Sequence, residues 1–231
     1  MSNPKAKPTV RPQATRRPSA SRQPPRGRRR LWWAAGITVL ALVALVGVFL
    51  TGQQHTTTGG AGRGGYQVGS PGPGQPAPPV RLPTTGDGTF DLGAQRGKTV
   101  LLYFQEGLGC QPCWNQLTDI EANQAKFHAL GIDQVASITT NPLDALKQKV
   151  ADEHLTSPVL ADPDLRVSSA YQANQYGMMG TSRDGHTFVL VGPDGQIRWR
   201  ADYGGAPNYT MYVPVDQLLA DLTAGLGKTT R

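Results

Sequence analysis

The chain has 231 residues, 38% of them hydrophobic and 17% charged, which allows one domain with some excess or two small ones. Its formal charge of +7 hides an asymmetry: residues 1–30 carry ten Lys and Arg and no acid, leaving about −3 (7 − 10) for residues 31–231. The basic pI therefore belongs to a tail, and the absence of a basic, aromatic-interleaved face elsewhere excludes nucleic acid as an expected partner.

Residues 1–30 are rich in Pro, Ser and Gln and cannot bury a core, so they read as a disordered basic tail. Leu31 to Leu50, LWWAAGITVLALVALVGVFL, is twenty residues without a charge, the length of a transmembrane helix. The Arg26–Arg30 cluster precedes it and Trp32 and Trp33 stand where interfacial aromatics belong. The positive-inside rule then places the N-terminus in the cytoplasm and the rest outside, as a single-pass protein of the cell membrane. The rival is a cleaved export signal, since Arg28-Arg29 before Leu31-Trp32 faintly resembles a twin-arginine signal. The run is long for that, and no good A-x-A site follows. Residues 51–79 hold fourteen Gly or Pro in twenty-nine and read as a linker, with a reach of roughly 30 Å if flexible.

Residues 80–226 have the size of one domain, with 227–231 as a tail. Val80–Pro83 and Thr89–Leu92 flank Gly86-Asp87-Gly88, a hairpin signal. Lys98–Phe104 is a buried strand. Both cysteines of the chain then occur together in LGCQPCWNQL, after which Trp114, Leu117, Ile120, Phe127 and Leu130 recur at helical spacing up to Gly131. Ile132–Thr139 is the next strand, which completes a βαβ unit. Asn141-Pro142 opens a helix to about His154, with the proline in its first turn. Pro158–Asp164 supplies a short strand and turn, and a brief helix runs to Tyr171. His186–Val191 and Gln196–Asp202 flank the Gly192–Gly195 turn, and a last helix covers Val213 to Leu222. The class is α/β, a mixed central sheet flanked by helices.

A disulfide that braces a fold gains most from a long loop, and Cys110 and Cys113 close only two residues. The pair is therefore expected to serve reactivity or metal binding. A four-ligand zinc site needs two more Cys or His, and there is no second Cys-x-x-Cys. Cys110 ends a loop and Pro112 suits the first turn of the helix that follows. That puts the Cys110 sulfur near unpaired N–H groups and the positive helix end, both of which favour thiolate. Trp114 is expected to pack on the first turn, and Glu106, four residues before Cys110, is a candidate for moving protons. Tyr176–Met179 reads as core or turn rather than a sulfur ligand set. GLGKT near the C-terminus imitates part of a phosphate loop, but Leu222 stands where the first Gly is needed.

A strand ending in Tyr103-Phe104, a loop, then Cys-x-x-Cys opening a helix resembles the thioredoxin-like fold. With APPVRLPTTGDG, PVLADPD, AYQANQYG and TFVLVGPDGQI, the chain more narrowly resembles the peroxiredoxin-like redoxins, the alkyl hydroperoxide reductase/thiol-specific antioxidant group. The resemblance implies a thioredoxin-like domain acting by thiol–disulfide exchange, with Cys110 as nucleophile and Cys113 as resolving thiol. Gln111, Pro112, Trp114, Glu106 and Gly185 stand in support. The implied partners are a protein or small-molecule thiol or disulfide and a partner that recycles the pair, with no cofactor. Thiol peroxidase activity is the alternative, and a Cu(I)-binding chaperone using Cys110, Cys113 and His186 is an alternative of another class. Two departures stand out. Gly185 occupies the place of the thioredoxin cis-proline. Tyr103 and Gly107 occupy the places where peroxiredoxins carry a proline and a hydroxyl residue before the reactive cysteine.

Overall fold

The computed structural model describes residues 65–86 and 88–229. The expected basic tail, the apolar run 31–50 and the start of the linker lie outside the described residues. Among the described residues no helix is long and apolar enough to cross a membrane.

The hairpin forms as expected, β1 (Arg81–Pro83) antiparallel to β2 (Thr89–Asp91) with Leu82 opposite Phe90. Then come β3 (Val100–Phe104), α1 (Gln111–Ala122), α2 (Gln124–Ala129), β4 (Gln134–Thr139), α3 (Leu143–Asp152), β5 (Val159–Ala161) and α4 (Arg166–Ala170). The chain closes with β6 (Thr187–Val191), β7 (Ile197–Asp202) and α5 (Val215–Thr229). The sheet order is β5-β4-β3-β6-β7, with β3, β4 and β5 parallel and β6 and β7 antiparallel. β3 is buried along its whole length, as a continuous apolar run in a central strand should be.

Alternation along β3 sorts the core into two layers. Leu101 and Tyr103 face Trp114, Leu117, Ile120, Phe127, Leu218 and Leu222 of the helices. Val100, Leu102 and Phe104 face Val80, Leu82 and Phe90 of the hairpin, with Val167 and Tyr171.

Four expectations need correction. The helical run after the cysteines is two helices, broken at Asn123, whose φ of −114° leaves the helical region. Pro142 caps α3 from outside instead of sitting in its first turn; its extended ψ of 142° marks the boundary. The last helix begins at Val215 and continues to Thr229, so GLGKT and the first residues of the expected tail are helical. The folded part also starts well before Val80. Gln67 exchanges backbone bonds with Asp202 (3.0 and 2.8 Å), and Ala77 N–H donates to Gly195 O at 3.0 Å. The Gly/Pro-rich stretch from Tyr66 thus lies along the outer side of β7. It gives that edge strand partners that a free linker would have left to solvent.

Candidate active site

The loop between β3 and α1 is fixed at almost every residue. Cys110 N–H donates to Gly107 O (2.9 Å), and the Trp114 indole donates to the same carbonyl (3.0 Å). Leu108 N–H donates to Asn141 Oδ1 at 2.9 Å, which ties the loop to the end of β4. Gly107 needs to be glycine: its φ is +89°, and a Cβ there would stand 1.7 Å from Asn141 Oδ1 and 2.3 Å from Thr139 Oγ1. The hydroxyl position of the peroxiredoxin pattern is therefore filled by two side chains from the neighbouring strand end.

Cys110 is the N-cap of α1, with Pro112 in the first turn, and its sulfur accepts the Cys113 N–H at 3.3 Å. Cys110 and Cys113 form a disulfide with Cα atoms 5.3 Å apart; Cys110 is 6% exposed and Cys113 is fully buried. A substrate sulfur approaching from solvent meets Cys110 first. Met211 packs against both cysteines. It is held by its neighbours: Thr210 N–H donates to Tyr203 O (3.0 Å) and Val213 N–H to Gln116 Oε1 on α1 (2.7 Å).

Beneath the pair, Tyr103 Oη lies 3.2 Å from Cys113 O and 3.1 Å from His186 Nδ1. The phenol has one proton, and a carbonyl only accepts. Both contacts are satisfied when Tyr103 donates to Cys113 O and a neutral His186 donates from Nδ1. The buried, unpartnered Nε2 is then a bare lone pair. Burial pushes His186 down to about 3 and, with a further push from Glu106, holds the Tyr103 phenol well above its ordinary range.

The expected support residues divide. Trp114 is fully buried and braces the loop. Gln111 faces solvent, bonded to Asn115 (3.0 Å) and Glu153 (3.1 Å) and receiving Lys149 Nζ (3.0 Å). Lys149 also stands 5.5 Å over the Trp114 ring, which brings a cation to the start of α1. Glu106 is buried and accepts the Met178 N–H at 3.1 Å, so it anchors the 177–185 loop. Gly185 lets two backbone segments touch: a Cβ there would be 1.4 Å from Tyr176 O. Its N–H donates to Ala173 O (3.1 Å), a bond proline cannot make.

The Cys110, Cys113 and His186 ligand set is not assembled. Among the described residues no three His, Cys, Asp or Glu side chains stand close enough to hold a metal ion, and Nδ1 of His186 is engaged with Tyr103. Met178 and Met179, read as core or turn, lie in a turn and are more than half exposed. Met211 and Lys149 carry no signal in the sequence that ties them to the site, and Asn141 carries only that of a helix start. Asn141-Pro142 marked a helix start, but nothing local signalled that the amide reaches back across the sheet.

The AhpC/TSA family model matches residues 73–200. A Mycobacterium tuberculosis (strain H37Rv) protein named as a candidate peroxiredoxin is 33% identical over 131 residues, 54% of this chain and 81% of that protein. The peroxidoxin BcpB of Mycobacterium tuberculosis is similar in structure, with a TM-score of 0.55 at 17% identity over 66% of this chain and 97% of BcpB. A solution structure from Bacteroides thetaiotaomicron, named as a candidate protein disulfide isomerase, gives 0.50 at 21% identity over 71% and 93%. At these identities the structural likenesses show the thioredoxin-like fold alone.

Proposed function

This chain belongs to the AhpC/TSA family of redoxin-type oxidoreductases, and from that membership we propose that it works as a thiol–disulfide oxidoreductase through Cys110 and Cys113. One observation carries the reading: the Cys110 sulfur caps α1 and accepts the Cys113 N–H, with its partner sulfur one turn behind it. A negative charge on Cys110 is favoured there by the amide and by the helix end.

In the reducing direction the Cys110 thiolate attacks one sulfur of a substrate disulfide. A mixed disulfide forms and one substrate thiolate leaves. Cys113, deprotonated as it attacks, then displaces the second substrate thiolate from Cys110 and restores the Cys110–Cys113 bond. Two electrons pass to the substrate, and an outside dithiol must return them. The reverse sequence oxidises a substrate dithiol by the same bonds.

The relative named as a peroxiredoxin favours a second reading, peroxide reduction at Cys110. That reaction needs donors aimed at the leaving oxygen, and the hydroxyl position before Cys110 is Gly107 with its space already filled. Stopped-flow mixing of the reduced protein with hydrogen peroxide, and separately with a disulfide substrate, compares the two. The expected result is rapid disulfide turnover that requires Cys113, with peroxide reacting little faster than with a free thiol. Fast peroxide consumption that vanishes in Cys110→Ser would decide for the peroxidase.

The uncharged run 31–50 behind Arg26–Arg30 supports a further part of the proposal, that the domain is anchored to the membrane with its disulfide outside the cytoplasm. Protease added to cells stripped of outer layers should then digest the domain and spare the first thirty residues. Digestion of the tail alone would reverse the orientation, and a mature product starting after residue 50 would remove the anchor.

A further inference from the structure

Beyond Met1, the chain has five sulfur-bearing residues, and all of them are gathered at one end of the sheet. Met211 packs against Cys110 and Cys113 to form a small buried cluster of three sulfur side chains. Met178 and Met179 sit in the loop whose Met178 N–H is bonded to Glu106, four residues before Cys110. They are 56% and 55% exposed, whereas the domain's other large apolar side chains are mostly buried. Methionine usually fills gaps in a core, and these two do not. Packing gives no reason for this placement, but the chemistry of sulfur does.

We infer that, once the disulfide is reduced, Cys110, Cys113 and Met211 form a three-sulfur site for Cu(I), with Met178 and Met179 as thioethers at its approach. Two thiolates and a thioether are soft ligands of the kind that select Cu(I). Zinc is a poor match, because a closed site asks for four ligands and thioether is not among its usual donors. Among the described residues no His, Asp or Glu joins the cysteines to complete such a set. Binding moves no electrons: Cu(I) enters, the two thiols release two protons to solvent, and two Cu–thiolate bonds and one Cu–thioether bond form. The complex carries a net charge of −1, and the first amides of the twelve-residue α1, capped by Cys110, stand where that charge is best tolerated. The chain on either side of Met211 is bonded to Tyr203 and to Gln116 of α1, so the residue is held beside the pair before the metal arrives.

The site uses the pair assigned above to disulfide exchange, and it rests on that pair being reducible. Binding is therefore measured on chemically reduced protein, separately from turnover. The full chain, reduced under anaerobic conditions and freed of reductant, is titrated with Cu(I) against a chromogenic Cu(I) chelator, and X-ray absorption counts the sulfur neighbours. The expected result is one Cu(I) per chain with three sulfur neighbours. In Met211→Leu, a swap of similar volume, two sulfur neighbours should remain and affinity should fall about tenfold, on the order of 1.4 kcal/mol. Two sulfur neighbours in the unaltered protein, or no Cu(I) retained against the chelator, would overturn the proposal without any variant. Equal affinity and equal coordination in Met211→Leu would do the same. Loss of disulfide turnover with Cu(I) binding intact would instead count against the exchange reading alone.

Discussion

At the scale of single residues, the site is governed by what fills the space around the Cys110 loop. Gly107 combines a φ of +89° with a missing Cβ that would otherwise collide with Asn141 and Thr139. Placing a hydroxyl there does not convert the site to the peroxiredoxin pattern. Gly107→Thr forces a β-branched side chain into left-handed backbone and into occupied space, with an expected loss of about 2 kcal/mol or more. Peroxide reactivity should not rise. Thr139 accounts for part of the clash and Asn141 for the closest contact, so adding Asn141→Ala should recover part of the lost stability, a coupling that distant sites do not show. Urea midpoints of the two single variants and the double variant measure this. A Gly107→Thr protein with an unchanged midpoint, or with fast peroxide turnover, would refute the account.

At the scale of elements, most of the fold was legible and most of the site's surroundings were not. β3 announced itself because a central parallel strand buries both faces and reads as an unbroken apolar run. The β6–β7 hairpin followed from its Gly-Pro-Asp-Gly turn. Cys110 and Pro112 marked the start of α1 because capping and helix entry are local events. The long-range bonds left no local trace. β7 carries Arg200 fully buried, paired at 2.9 Å with an equally buried Asp202. The pair is tolerated because Gly69 N–H and Thr187 also donate to Asp202, while Arg200 reaches the carbonyls of Tyr171 and Pro71. Two of those partners, Gly69 and Pro71, come from a Gly/Pro-rich stretch whose composition reads as linker. Composition records what a segment can bury by itself, whereas this one is ordered by the edge strand it covers. Met211 leaves no local trace for the same reason, since the two cysteines of its cluster lie about one hundred residues away in sequence.

At the scale of the whole molecule, two buried titratable groups beside the site set opposing pH dependences. His186 is held neutral by burial, its pKa pushed down to about 3. As pH falls below the ordinary histidine range near 6.5, the unfolded chain takes up a proton that the folded chain refuses. Stability from this residue is therefore lost toward acid, by about 1.4 kcal/mol per pH unit. Asp184 works the other way. Ser168 Oγ lies 2.7 Å from Asp162 Oδ2 and 3.0 Å from Asp184 Oδ2 but has one proton to give. Asp162 also accepts the Ser168 N–H and stands nearer the hydroxyl, so the hydroxyl proton goes to Asp162 and Asp184 brings its own proton. Burial first, and the charge of Asp162 beside it, hold the Asp184 carboxyl well above its usual range. Above pH ~3.9 the unfolded chain has released that proton while the folded chain keeps it, so Asp184 costs stability as pH rises, up to its own raised pKa. Above the ordinary carboxylate range and below the ordinary histidine range the two slopes have opposite sign, so Asp184 offsets part of what His186 loses toward acid. Asp184→Asn supplies a permanent donor in place of the protonated acid and leaves the histidine slope uncompensated. Urea unfolding at half-unit steps from pH 4.5 to 6.5 should then show the variant losing more stability toward acid than the unaltered protein. The comparison between the two proteins removes the contributions of the surface carboxylates, which both share. Parallel pH profiles for the two would mean that Asp184 is ionised in the fold, and that the loop leading to Gly185 and His186 is held by a charge instead of a proton.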